Sequence, residues 1–311
     1  KDCIKSHLII PVRQKGKPVG VLALSSIKKD NLSQKDISLI ESLLGFAGSA
    51  LANAKIYALS QKQKKALEEK DLAMQEDLKL AEGIQRSILR YSTLPNSIHT
   101  FTHYQPQNKV GGDFFQIDNL STHKIRIFIA DATGHGVQAA LGTVLIRNEY
   151  ELLKQNPLLP HEILEKLNLN FLERFPNLSL FFTAFLLDID IEKKKIFYSS
   201  AGHPIQYLMR NQEPFVLDGK GKPVGVIETA HYNTLEKELM PKDRFFLFTD
   251  GLIEEINQEN EEFGEERCLA FLKQEKDLKS IFENLSKAIQ DFNQKPFLED
   301  DFTFIAIEYQ P

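Results

Sequence analysis

The chain has 311 residues, more than one domain usually holds, which predicts two domains or one domain with an appendage. Its 42% apolar and 26% charged residues are typical of a globular protein, and its net charge of −5 argues against nucleic acid as the main partner. Its two cysteines, Cys3 and Cys268, form no CxxC pair, which excludes a cysteine-rich zinc site and favours a reducing, cytoplasmic compartment. No apolar run approaches the roughly 20 residues that span a bilayer, so we expect no membrane segment.

Two apolar runs open the first region of the chain, residues 1–55. "HLIIPV" begins at His7, "VGVLALSS" begins at Val19, and a turn at Gly16-Lys17-Pro18 between them predicts a β-hairpin. Ser33 with Asp36 three residues later indicates a capping box at the start of a helix. The apolar face predicted for that helix consists of Ile37, Ile40, Leu44, Ala47, Leu51 and Ala54.

This order of elements resembles the C-terminal half of a GAF domain, a sensory module. The stretches "GKPVGVLAL" and "LSQKDISLIESLLGFAGSALANAKIY" carry the resemblance. It implies a partial GAF-like domain at 1–55. A small ligand would be bound by the complete domain, whose other half would lie upstream.

Residues 56–92 are rich in Lys, Glu, Gln, Leu and Ala and predict a helical linker. Its apolar positions follow a heptad-like seam of Leu67, Met74, Leu78, Ala81 and Ile88, with Asp71 and Gln85 as polar members. Two interpretations fit this pattern. One is a single amphipathic helix lying on the next domain, and the other is a parallel coiled coil that makes the chain a homodimer.

Residues 93–311 combine strands and helices in an order that predicts an α+β domain. Strands are predicted at 101–105, 125–131, 182–188, 195–200, 205–209, 244–249 and 302–308, and helices at 137–154, 161–175, 265–273 and 278–292. Because several strands follow one another directly, an antiparallel sheet covered by helices is favoured over an alternating parallel fold.

Aspartates recur in this domain beside apolar strands. Asp113 follows two glycines, Asp131 ends "IFIAD", Asp250 ends "RFFLFTD", and Asp300 with Asp301 precedes the last strand. A local alternative exists for one of them, because Asp131 or Thr133 could cap the following helix. Acids in four stretches with the same setting instead suggest one shared site.

Carboxylates brought together raise one another's pKa unless cations compensate their charge. An all-oxygen ligand set favours hard ions such as Mg²⁺ or Mn²⁺ over Zn²⁺. Two such ions bridged by a carboxylate can activate water and hold phosphoryl oxygens. The pattern therefore predicts a site for two divalent cations, with no other cofactor.

The motifs of this region resemble the metal-dependent serine/threonine protein phosphatases (PPM family), in the bacterial branch named after stage II sporulation protein E. The matching stretches, in family order, are "IQRSIL", "VGGDFF", "DATGHGVQAAL", "AGHP", "GKPVGV", "FTDGLIE", "FGEER" and "DDFT". The resemblance covers 84–308 and implies a phosphatase domain at 93–311. The implied fold is an α-β-β-α sandwich, with two antiparallel sheets flanked by helices.

The resemblance also implies roles for individual residues. Asp131 would bridge both metals, with the backbone carbonyl of Ala132 binding one of them. Asp250 and Asp300 would complete the ligands of the first metal, and Asp113 would serve the second. Asp113, Asp131 and Asp250 are therefore the predicted catalytic residues.

Other polar residues in these motifs have less specific interpretations. His135 is either a proton donor or a turn histidine bonded to backbone, and His203 is interpreted as structural. Asp301 is interpreted as a cap or a brace for the last strand rather than a metal ligand. Gln116 stands where many relatives carry a further aspartate, and a neutral amide ligates hard cations weakly.

The predicted function is hydrolysis of phosphoserine or phosphothreonine on a regulatory protein, with metal-bound water as the attacking group. Relatives in this branch act on antagonists of anti-sigma factors, which implies a place in bacterial signalling. The first alternative is a non-catalytic dimeric scaffold with a phosphatase-like domain. The second is a nucleotide phosphodiesterase, which usually brings histidine ligands that this chain lacks.

Overall fold

A computed structural model describes residues 4–29, 33–178, 180–295 and 298–311. The chain divides into two compact units, Lys1–Glu76 and Asp77–Pro311, and each is considered by itself. Cys3 lies outside the described residues. Cys268 is a buried free thiol.

The first unit begins with the predicted hairpin, which is confirmed. Strand β1 (Ser6–Gln14) pairs antiparallel with β2 (Lys17–Ser26). The turn consists of Lys15 and Gly16, with φ of 44° and 80°, so it is shorter than the Gly16-Lys17-Pro18 turn that we predicted. Two consecutive left-handed residues match the right-handed twist of a hairpin.

Helix α1 (Gln34–Ile88) is continuous across both predicted helical stretches. The capping box is confirmed, because Ser33 N–H donates to Asp36 Oδ2 at 2.9 Å and Asp36 N–H donates to Ser33 Oγ at 3.3 Å. The predicted apolar face is partly wrong. Gly48 and Ala52 are buried instead of Ala47 and Ala54.

Close packing explains the rotated face of α1. A Cβ on Gly48 would lie 2.5 Å from the carbonyl oxygen of Arg13, so only glycine lets the helix approach the hairpin there. Farther along, Leu67 and Met74 of the predicted seam are exposed.

Part of α1 is apolar enough to consider as a membrane span. An 18-residue window within it has a mean hydropathy of 1.3, and 11% of that window is buried. The core helices of soluble proteins and signal sequences have the same length and composition. These two properties are therefore weak grounds for a membrane span.

The second unit contains two sheets. The six-stranded sheet has the order β11 (Leu235–Glu238), β8 (Lys195–Ala201), β7 (Phe182–Asp190), β6 (Lys124–Ala132), β5 (Asp113–Ser121) and β3 (Arg90–Tyr91). The five-stranded sheet has the order β10 (Glu213–Leu217), β9 (Gln206–Arg210), β12 (Arg244–Phe248), β13 (Phe302–Tyr309) and β4 (Ile98–Gln105). All neighbouring strands are antiparallel except β3 and β5, whose pairing is parallel.

Helices cover the outer faces of both sheets. On the six-stranded sheet lie α2 (Gly136–Leu153) and α3 (Pro160–Arg174), and on the five-stranded sheet lie α4 (Gly264–Leu272) and α5 (Leu278–Asn293). Because side chains alternate along a strand, Ile127 packs between the sheets while Phe128 packs against the helices. The predicted α-β-β-α sandwich is confirmed.

The predicted helices and strands of this unit lie within two residues of the observed bounds, apart from β4, which begins three residues earlier. Four strands were missed. β3, β10 and β11 are short, and β5 reads "DFFQIDNLS", whose polar residues hide its apolar alternation. Asp118, one of these polar residues of β5, is buried and accepts a hydrogen bond from Tyr150 Oη at 2.9 Å.

Candidate metal centre

Two of the predicted acids meet at the open end of a hairpin. Asp113 is the first residue of β5, Asp131 is the second-last residue of β6, and the two are paired across the antiparallel ladder. Directly opposed residues have side chains on the same face of a sheet. This register therefore brings Asp113 and Asp131 together although they are distant in sequence.

The five-stranded sheet contributes the other acids. Asp250 follows the end of β12, and Asp300 and Asp301 precede the start of β13, which pairs antiparallel with β12. A Cβ on Gly251 would lie 2.1 Å from the carbonyl oxygen of Asp301. Glycine at 251 therefore lets the turn after β12 pack directly on the start of β13.

Two threonines join the sheets at this edge. Thr249 Oγ1 donates to Asp113 Oδ2 at 2.8 Å, and Thr303 Oγ1 donates to the same oxygen at 2.6 Å. Asp113 belongs to one sheet, Thr303 lies in β13 of the other, and Thr249 directly follows β12, so these bonds form a clasp between the sheets. Sequence reasoning missed this clasp, although "FTDG" and "DDFT" each place a threonine near an aspartate.

Asp300 and Asp301 have different surroundings. Asp301 is 5% exposed, and its two carboxylate oxygens accept hydrogen bonds from the backbone N–H groups of Gln107 and Gly112. Asp300 is exposed, and its Oδ1 accepts from the N–H of Asp301 at 2.8 Å. Asp301 is thus engaged in holding the loop, while Asp300 has an oxygen available to a ligand.

The two glycines before Asp113 allow close approaches that a side chain would block. A Cβ on Gly111 would lie 2.3 Å from Asp301 Oδ1, and a Cβ on Gly112 would lie 2.6 Å from the carbonyl oxygen of Ala132. Such distances are far below van der Waals contact. Glycine is therefore required for this loop to pack against both the Asp301 brace and the turn after β6.

The cluster strongly disfavours negative charge. Burial, followed by the charges of four neighbouring carboxylates, raises the pKa of Asp131 from 3.8 to about 9. Burial, followed by Asp300 and Glu254, raises the pKa of Asp250 to about 6. Burial also raises the pKa of Asp113 well above its ordinary value, despite the two threonine hydroxyls that lower it.

These observations fit a cation site. Asp113 Oδ1 is buried and has no hydrogen-bond partner, and its carboxylate lies among like charges. A cation would satisfy that oxygen and offset the repulsion. In the part of the chain that the structure describes, no three His, Cys, Asp or Glu side chains converge closely enough to enclose an ion. The fit therefore rests on the chemistry of the donors.

Three further polar residues of the motifs have surroundings of their own. His135 is the exposed residue before α2 and makes no side-chain capping bond. His203 is buried, with Nδ1 at 2.8 Å from Thr183 Oγ1, and burial lowers its pKa to about 3. Gln116 faces the helices, where its Nε2 donates to Glu151 Oε1 at 2.7 Å.

The alternative that Asp131 or Thr133 caps the following helix is wrong. The residue that precedes α2 is His135, and neither Asp131 nor Thr133 caps the helix. Thr133 Oγ1 instead donates to the carbonyl oxygen of Phe181 at 2.9 Å.

One further residue near the centre was interpreted only as a polar member of the linker seam. Gln85, near the end of α1, is 3% exposed. Its Nε2 donates to the carbonyl oxygen of Gly111 at 2.6 Å, and its Oε1 accepts from the Gly111 N–H at 3.1 Å. Tyr104 Oη donates to the same Oε1 at 3.0 Å. The last turn of the helix thus holds the loop that leads to Asp113.

Two phosphoserine phosphatases are similar to this chain in sequence. The chain is 30% identical to the phosphoserine phosphatase RsbU of Bacillus subtilis over 211 residues, which cover 65% of this chain and 60% of RsbU. It is 25% identical to the phosphoserine phosphatase RsbP of the same organism over 182 residues, or 57% of this chain and 45% of RsbP. The chain thus spans about half the length of these relatives.

Solved structures share the fold. The SiaA-PP2C domain of Pseudomonas aeruginosa matches 77% of this chain and 98% of its own, with a TM-score of 0.68 and 23% identity. The phosphatase domain and regulatory fragment of SpoIIE from Bacillus subtilis matches 70% of this chain and 64% of its own, with a TM-score of 0.61 and 18% identity.

Family models match both parts of the chain. A GAF domain model matches residues 1–52, as the sequence resemblance implied. The model described as Stage II sporulation protein E (SpoIIE) matches residues 121–310, which is more than half of the chain. With its two-sheet sandwich and its acidic edge, the chain belongs to the SpoIIE family.

Proposed function

We propose that the chain is a metal-dependent protein phosphatase that hydrolyses phosphoserine or phosphothreonine on a phosphorylated regulatory protein. The observation that carries this proposal is the edge where both sheets deliver carboxylates, one of them with a buried, unpartnered oxygen. Membership of the SpoIIE family and similarity to two phosphoserine phosphatases support it.

Two divalent cations, Mg²⁺ or Mn²⁺, suit this all-oxygen donor set. Asp131 is the proposed bridge between them, with Asp250 and Asp300 on the first ion and Asp113 on the second. The carbonyl oxygen of Ala132 completes the proposed ligands. Such ions supply positive charge that lowers the pKa of an attacking water and neutralises phosphoryl oxygens.

The chain's own contribution is to position these oxygens. Thr249 and Thr303 fix the orientation of the Asp113 carboxylate, and the ladder between β5 and β6 fixes its separation from Asp131. The Asp301 carboxylate ties the loop before β13 to Gly112. Ligands held in this way need little reorganisation when an ion binds.

A covalent phosphocysteine is not part of the proposal. Cys268 is fully buried under the five-stranded sheet, and burial raises the pKa of its thiol. A buried thiol with a raised pKa is a poor nucleophile. Direct attack by water therefore fits these residues better than a two-step transfer.

The test is hydrolysis of p-nitrophenyl phosphate and of a phosphoserine peptide, with Mn²⁺ and with chelator. Mn²⁺-dependent turnover that Asp131→Ala abolishes is expected. A purified, folded protein that binds its partner but hydrolyses neither compound at any Mn²⁺ concentration is a scaffold, and the proposal is then wrong.

The first unit and α1 suggest how such an enzyme is regulated. We propose a cytoplasmic homodimer formed through the linker helix, whose exposed Leu67 and Met74 would meet their counterparts in a second copy. A small ligand bound by a complete GAF domain would then change the activity of the phosphatase. The substrate of the phosphatase would be a phosphorylated antagonist of an anti-sigma factor.

A further inference from the structure

A buried carboxylate outside the proposed donor set lies between two parts of the candidate metal centre. Glu255 is 1% exposed and follows the turn that begins at Asp250. Its Oε1 accepts a hydrogen bond from Asn293 Nδ2 at 2.9 Å, and its Oε2 accepts from the backbone N–H of Glu299 at 3.1 Å. Asn293 ends α5, and Glu299 immediately precedes Asp300. One carboxylate thus contacts the chain on both sides of the segment that leads to Asp300.

The backbone of Glu255 is fixed from the side of Asp250. The carbonyl oxygen of Asp250 accepts hydrogen bonds from the N–H groups of Ile253 and Glu254, both at 2.8 Å. The carbonyl oxygen of Glu255 accepts from the N–H of Phe263 at 2.8 Å. The backbone of Glu255 is therefore held next to the Asp250 turn, and its side chain is bonded to the loop before Asp300.

We propose that Glu255 is a positioning residue that sets the spacing between Asp250 and Asp300, and so the affinity of the site for a divalent cation. This inference rests on the proposed function, because it takes Asp250 and Asp300 as ligands of one ion. Glu255 itself contacts no ion. It acts through the N–H of Glu299, one residue before the ligand.

The role requires two acceptor oxygens. A carboxylate accepts from Asn293 and Glu299 at the same time, whereas a glutamine has one acceptor oxygen and can serve only one of them. The Asn293 side chain cannot simply turn over, because its Oδ1 already accepts from the N–H of Lys295 at 3.1 Å. Glu255→Gln should therefore have an effect between those of wild type and Glu255→Ala.

The experiment measures Mn²⁺ binding directly, by the electron paramagnetic resonance signal of free Mn²⁺, in wild type, Glu255→Ala and Glu255→Gln of the full chain. The matched control is Glu308→Gln. Glu308 is also a buried carboxylate, and its Oε1 accepts from Arg244 Nε at 3.1 Å, but it lies at the opposite end of β13. Hydrogen–deuterium exchange of a peptide covering 298–302 is measured in the metal-free proteins.

Glu255→Ala should raise the Kd for Mn²⁺ by about 10-fold or more, as removal of groups that orient metal ligands does. Turnover at saturating Mn²⁺ should stay within about threefold of wild type, because the ligands themselves remain. Exchange at 298–302 should rise in Glu255→Ala and stay unchanged in Glu308→Gln.

Two results would overturn the inference. In the first, Glu255→Ala binds Mn²⁺ as wild type does, whether or not its melting temperature falls, which leaves Glu255 a structural residue only. In the second, wild type binds no Mn²⁺, which overturns the proposed function and with it the ligand spacing argued here.

Discussion

Asp131 lies at the end of β6, opposite Asp113, in the position proposed to bridge two cations. Asp131→Asn keeps the size of the side chain but removes its negative charge, so we expect an intact fold. Phosphatase activity should fall by on the order of 10³-fold or more, because the attacking water loses its activation. The measurement is turnover at saturating Mn²⁺, with circular dichroism as the check on folding. Near-normal turnover would contradict the bridging role.

Variants of the two acids of "DDFT" should differ in the Mn²⁺ concentration they need for activity. Asp300→Ala removes an exposed carboxylate with a free oxygen, so the Mn²⁺ concentration at half-maximal activity should rise about 10-fold or more, with little change in stability. Asp301→Ala leaves two N–H donors without their acceptor, at about 1–3 kcal/mol each. Its main effect should be a lower melting temperature. Equal shifts in Mn²⁺ requirement would contradict this assignment.

The metal-free protein should be less stable at higher pH. The Asp131 carboxyl group has a pKa of about 9 in the fold against 3.8 ordinarily, so between these values only the folded state keeps the proton. The folded state then binds more protons, and the free energy of unfolding falls as the pH rises. In chelator, calorimetry should find the melting temperature falling by on the order of 3 °C per unit from about pH 6 to about pH 8. Asp131→Asn should have a shallower slope, and a parallel slope would contradict the assignment.

Residue types at strand ends were readable from the sequence, but their partners were not. "IFIAD" and "FFLFTD" mark Asp131 and Asp250 because an acid after a buried run is conspicuous. Thr303 lies in β13 and Thr249 directly follows β12, and only the meeting of the two sheets reveals that both donate to Asp113. Glu255 sits in an acidic loop and looks solvated until its burial is known.

At the scale of elements, the end of α1 holds the loop before Asp113 through Gln85 and Gly111. Gln85→Ala leaves the N–H and C=O of Gly111 without these partners, which should loosen the loop. We expect the Mn²⁺ concentration at half-maximal activity to rise by about 10-fold, equivalent to about 1.4 kcal/mol. Gln63→Ala, an exposed position on the same helix, is the control. Equal behaviour of the two variants would leave the helix end without a role in metal binding.

Helices and long strands were predicted well because their periodicity is strong, as for α5 and β7. β5 was missed because its buried face carries Gln116 and Asp118, which form hydrogen bonds with the helix residues Glu151 and Tyr150. A local sequence pattern does not show which tertiary partners will form hydrogen bonds with buried polar groups. The face of α1 was misplaced for a similar reason, since the close approach at Gly48 depends on the hairpin backbone.

For the whole molecule, the proposed dimer can be tested by substitutions in the linker helix. Leu78 and Ala81 belong to the heptad-like seam, and glutamates there would place like charges against each other in a second copy. The Leu78→Glu/Ala81→Glu variant should sediment as a monomer and change in basal phosphatase activity, with its metal ligands untouched. A monomeric wild type together with a variant of unchanged activity would make this part of α1 only a spacer.

The pairing of Asp113 with Asp131 also constrains which lengths this chain can tolerate during evolution. The pair lies at the open end of the β5–β6 hairpin, whose closed end is the turn at Thr122 and His123. An extra residue at that turn leaves both strands in register, so insertions should accumulate there. A single insertion between Phe128 and Ile129 would invert every later side chain of β6 and carry Asp131 to the helical face. Homologues should therefore vary in the number of residues in this turn. The number of strand residues between the turn and each of the two acids should stay constant.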